Sequence, residues 1–143
     1  MTIEKKDEFI NRILAIDEND KAKFGKMNVS QMICHCADQF RMMFGEIEGL
    51  KRQNVDVKKI REMAIKNETI PTVDGLDQAA GGGTKPTGLE KDKETLISYL
   101  NKFVATDENY KFSFHPFFGE VGKVQWERLV VHHLNHHLDQ FGR

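Results

Sequence analysis

His132, His133, His136 and His137 fall within VQWERLVVHHLNHHLDQF, so one short stretch holds four of the chain's six histidines. Two histidines four apart on a helix point the same way and can hold one metal ion between them. The stretch contains two such pairs, His132/His136 and His133/His137. Stepping about 100° per residue from His133 puts Trp126, Val130, Leu134 and Phe141 within about 20° to 100° of it, and His137 at about 40°. His136 and His132 fall at roughly −60° and −100°, off the apolar stripe and towards solvent or a neighbouring chain. The spacing therefore turns His133 and His137 inward. Unpaired buried polar groups cost roughly 1–3 kcal/mol each. A protein hydrogen bond to each imidazole would remove that cost, and so would a shared metal ion.

His35, in MNVSQMICHCADQF, is the only other histidine on a well-marked helical pattern. It sits at the edge of its apolar stripe, with Gln31 and Gln39 one turn either side. His35, His133 and His137 would give three neutral nitrogen ligands and leave a coordination position open, as catalytic zinc sites do. Gln39 and Gln140 are the outer groups read as orienting that set, Gln140 lying one turn after His137. Cys34 and Cys36 flank His35, but consecutive helical side chains diverge by about 100°, so the three cannot converge. Cys36 points into the stripe and Cys34 away from it. Asp38 and Asp139 are either outer-shell or acid–base groups, or ordinary exposed carboxylates. His115, just before Pro116, either lines the mouth of the site or simply ends a connection. No glutamate precedes a histidine by three, which excludes a ferritin-type dinuclear centre. No G-x-S-x-G elbow is present to support serine nucleophile chemistry.

Helical patterns dominate. The first spans about residues 3–16, with Phe9, Ile10, Ile13 and Leu14 on one face. The second opens at Asn28, where Gln31 can complete a capping box, and runs to about Phe44 with Val29, Met32, Cys36, Phe40 and Met43 as its stripe. Residues 46–66 have enough helix formers for a short helix. Residues 68–87, ETIPTVDGLDQAAGGGTKPT, argue against any regular element and read as a functional or mobile lid. Thr87 and Glu90 predict a capping box for the third principal helix. The last runs from Gly122 or Lys123 to about Gln140. Four principal helices with one long connection predict an all-α four-helix bundle, in a single domain over residues 1–143.

The 143 residues suffice for one core, and 39% hydrophobic with 30% charged residues is an ordinary globular balance. A net charge of −1 gives no nucleic-acid footprint. No run approaches a membrane span, and MTIEKKDEFINR lacks a signal-peptide core. Two cysteines this close on regular backbone are poorly placed to bridge, which predicts reduced thiols and a cytoplasmic location.

GKMNVSQMICHCADQFRM resembles the second helix of the DinB/YfiT-like metalloenzyme superfamily. HPFFGEVGKVQWERL followed by HLNHHLDQFG is similar to one of its branches, known only as a domain of unknown function. The resemblance covers essentially the whole chain. It implies an up-down-down-up four-helix bundle, often dimeric, with a metal triad matching His35, His133 and His137. His136 has a counterpart in many relatives and is not usually the ligand; His132 looks individual to this chain. The resemblance also implies a divalent ion, commonly zinc or nickel. Better-understood relatives are transferases or isomerases using low-molecular-weight thiols such as bacillithiol or mycothiol, and some are hydrolases. The expectation is thus a metal-dependent transferase acting on a small-molecule electrophile. Metal-dependent hydrolysis and a non-catalytic metal-binding or stress-related role are the alternatives.

Overall fold

The computed structural model describes residues 1–143 and is all-helical, with five α-helices and no strand. They are α1 (Ile3–Leu14), α2 (Val29–Met43), α3 (Val57–Ile65), α4 (Leu89–Ala105) and α5 (Lys123–Gln140). No helix is long and apolar enough to cross a membrane.

Local signals set most boundaries. Thr2 caps α1 by accepting from the Lys5 amide at 3.1 Å. Asn28 and Gln31 form the reciprocal capping box at the start of α2, with bonds of 2.8 and 2.9 Å. Asp56 caps α3, which lies within the stretch read only as rich in helix formers. The start of α4 differs from expectation. Thr87 and Glu90 form no box; instead Asp92 accepts from the Thr87 amide and hydroxyl and the Gly88 amide. A carboxylate takes three donors at once, so Asp92 satisfies the helix entrance better than the shorter Thr87 hydroxyl could. Residues 68–87 are not wholly irregular either: Gln78–Ala80 form a 3₁₀ turn capped by Asp77.

Helix α2 packs on α4 and α5, and α1 packs on the same two, so these four surround one core. Phe9 and Ile13 of α1, Met32, Cys36 and Phe40 of α2, Leu96, Leu100 and Phe103 of α4, and Trp126, Val130 and Leu134 of α5 are wholly buried there. Each such side chain contributes roughly 1.5–3 kcal/mol by leaving water. Leu14, assigned to the inward face of α1, is instead exposed as the last residue of its helix. Cys34 is the larger correction. Expected to point away from the core, it is buried, its Sγ 3.6 Å from an Asp92 oxygen. The cause is that α4, α5 and the 3₁₀ turn cover α2 well beyond its apolar stripe. Both cysteines are free thiols.

Candidate metal centre

Helix α2 supplies His35, and α5 supplies His133 and His137 one turn apart. Their rings form a nearly equilateral cluster, with centroid separations of 4.7 Å (His35–His133), 4.5 Å (His35–His137) and 4.6 Å (His133–His137). The Nε2 atoms of His35 and His133 face each other at 2.9 Å. One ligand nitrogen from each of the three lies within 4.8 Å of the others, so the group could hold a metal ion.

The electrostatics suit ligation. Burial lowers the pKa of His35, against an opposing pull from the Asp38 carboxylate. Burial, then the neighbouring imidazoles, hold His133 well below its ordinary value. Burial, then His35, push His137 down to about 3. All three are therefore neutral around pH 7, the form in which imidazole ligates. The Nδ1 atoms of His35 and His133 are buried without hydrogen-bond partners.

Gln140 fixes the third ring. Its Oε1 lies 3.0 Å from His137 Nδ1, and its Nε2 donates to the Phe24 carbonyl at 2.7 Å. Because that carbonyl can only accept, the amide oxygen must face His137. Nδ1 then carries the proton and Nε2 keeps its lone pair. Gly25 lets the chain pass here: its φ of 83° is left-handed, and a Cβ would run into the Gln140 amide. Gln39, the other glutamine assigned to this role, hydrogen-bonds no histidine; its Nε2 points to the Leu129 carbonyl at 3.5 Å.

The triad opens into a cavity of about 400 Å³, and all six histidines line it. His132 and His136 are thus not turned wholly away from the site. They are half-buried on its wall, their rings 6.1 Å apart, with the Phe24 ring 5.3 Å from His136. The connection after α2 folds over this side of the bundle and converts an off-core face into a cavity wall. His115 also lines the wall and is buried, packed on Phe117, Phe118 and Trp126. Its Nδ1 accepts from the Phe117 amide at 3.0 Å, and a reciprocal backbone bridge to Gly119 closes the turn. Burial, then Arg52, lower its pKa to about 4.

Much of the remaining wall comes from Glu68 to Ala79. Asp38 ties down the far side of that segment. It is buried rather than exposed, and it accepts from Gln78 Nε2 (3.2 Å), the Thr84 amide (2.9 Å), the Thr84 hydroxyl (2.6 Å) and Arg41 (3.0 Å). Asp139 faces outward and pairs with Arg12 at 2.7 Å. Sequence reasoning did not single out the Phe24 carbonyl, Gln78 or Thr84. A backbone oxygen has no sequence signature, and the two polar side chains gain their meaning only by meeting Asp38.

The whole chain, residues 1–143, matches the family described as a protein of unknown function (DUF1569), and the chain belongs to that family. No curated protein matches it, and neither does any solved structure.

Proposed function

We propose that this member of the DUF1569 family holds one divalent metal ion, zinc or nickel, on His35, His133 and His137 and uses it to activate a small nucleophile. The observation that carries this reading is the convergence of three neutral imidazole nitrogens within 4.8 Å at the floor of a cavity. The donor set fits such an ion: nitrogen ligands suit zinc and nickel, and three protein ligands leave a position for a reactant. The ring of α1, α4, α2 and α5, with a long connection between α2 and α4, supports a DinB-like up-down-down-up bundle forming one domain.

A divalent ion bound there would supply Lewis acidity, shifting a coordinated thiol or water towards its nucleophilic form near neutral pH. The chain's own residues do the rest. Burial keeps the three imidazoles unprotonated, Gln140 holds His137 Nε2 towards the centre, and the 68–79 segment shields the cavity from bulk water. By resemblance, the first reaction to test is transfer of a low-molecular-weight thiol to a small electrophile. Hydrolysis is the second reading, since the position that three protein ligands leave open could equally take water.

Elemental mass spectrometry of the untagged protein and of the His35→Ala, His133→Ala and His137→Ala variants tests the centre. The expected result is about one ion per chain, lost in each variant while the helical fold persists. Metal retained after His133→Ala, or none bound after reconstitution, would overturn the proposal.

A further inference from the structure

His132 and His136 sit one turn apart on one face of α5, and both line the cavity. Their rings are nearly parallel, with planes 21° apart and centroids separated by 6.1 Å. The Phe24 ring flanks His136 at 5.3 Å, and His137 meets it edge-on at 5.0 Å. The histidine rings that hydrogen-bond within the protein are His115, the His35–His133 pair and His137. His132 and His136 are half-buried and bond to no protein group. The sealed, unpartnered side-chain nitrogens of the core belong to His35, His133 and Trp126. The ring nitrogens of His132 and His136 are therefore open to solvent and to a ligand. Asp139, the next acidic residue along α5, is already engaged by Arg12 at 2.7 Å.

We propose that His132 and His136 form a second metal site, on the wall of the cavity, for a late first-row divalent ion such as zinc or copper, with water filling the remaining positions. Imidazole suits these ions, whereas magnesium and calcium take oxygen ligands. Two zinc–nitrogen bonds of about 2.0–2.1 Å at a tetrahedral angle put the ligand nitrogens about 3.4 Å apart and the ring centroids about 5 Å apart. The present 6.1 Å is about 1 Å wider. Small side-chain rotations close that gap, and neither ring has a hydrogen bond to break. The site shares no residue with the triad and fills whether or not the triad is loaded. Two ligands hold an ion less tightly than three, so dialysis against metal-free buffer empties this site first and leaves purified protein with about one ion.

Equilibrium dialysis against zinc at saturation, read by elemental mass spectrometry, tests the site. The wild type should hold about one zinc more per chain than His132→Ala or His136→Ala, with helical circular dichroism unchanged in both. His133→Ala should lose the triad ion and keep this one. Anomalous scattering from zinc-soaked crystals should place an ion within about 2.0–2.1 Å of one nitrogen from each of the two rings. His136→Gln serves where the alanine variant fails to fold. Equal zinc content in the wild type and both alanine variants overturns the inference, because any extra zinc is then an adventitious ion only. An ion lost in His132→Ala and His136→Ala but kept in His35→Ala, His133→Ala and His137→Ala, with no other bound, overturns the triad reading and leaves this site standing.

Discussion

The side-chain oxygen of Gln140 stands 3.0 Å from Nδ1 of His137, while the amide nitrogen of the same residue donates to the Phe24 carbonyl at 2.7 Å. The second bond determines the first, because it leaves only the oxygen to meet the imidazole. The loop before α2 thus sets the tautomer of a histidine at the end of α5. Gln140→Leu removes that control while keeping an apolar stem in place. Zinc affinity should fall about 10- to 100-fold, measured by competition with a chromophoric chelator. Unchanged affinity would mean that His137 needs no such restraint.

Asp38 binds the 78–84 segment to α2 through three of its four hydrogen bonds. Asp38→Ala would leave Gln78, the Thr84 amide and the Thr84 hydroxyl without their acceptor and Arg41 without its partner. We expect a loss of about 3 kcal/mol in denaturant unfolding. Hydrogen exchange at the Thr84 amide should quicken in step. Protection persisting at Thr84 would show that the segment is held by other contacts.

His115 makes stability depend on pH. Burial and Arg52 hold its folded pKa at about 4, against 6.5 ordinarily. Above 6.5 both the folded and unfolded forms are neutral, and its contribution is constant. As pH falls from 6.5 towards about 4, the unfolded chain takes up a proton that the folded one refuses, so stability declines; below about 4 the decline stops. His115→Asn keeps an acceptor for the Phe117 amide but does not titrate. In chelator-treated protein, the wild type should lose about 2 kcal/mol more than this variant between about pH 7 and about pH 5. Parallel urea titrations at the two pH values measure the difference, and equal losses would refute it.

Both cysteines should be silent towards Ellman's reagent in the folded protein. Burial first, then Asp92, pushes the Cys34 thiol up to about 12, and burial raises Cys36 as well. Thiolate is the reactive form, so labelling should follow global unfolding. Zinc stoichiometry should be unchanged in the Cys34→Ala and Cys36→Ala variants. Rapid labelling under native conditions, or loss of zinc in either variant, would make the cysteines part of the site.

Periodicity alone carried the helical class and the inward turn of His133 and His137, because a 3.6-residue repeat read from apolar residues also orients the polar ones among them. The Asn28/Gln31 box was legible for the same local reason: both partners lie within one turn. The start of α4 was not, since Thr87 and Glu90 fit the motif while Asp92, outside it, offers two oxygens to three donors. Nor could a single-helix projection place Cys34, His132 or His136. It measures direction from one axis and knows nothing of the α4 face or the 68–79 segment lying against that side. The distances among the three imidazoles, the cavity they open into and the fixed tautomer of His137 are all relations between segments distant in sequence. Side-chain identity and spacing determine which groups can face inward. Only the packing of α2 against α5, and the return of two loops onto them, decides what those groups meet.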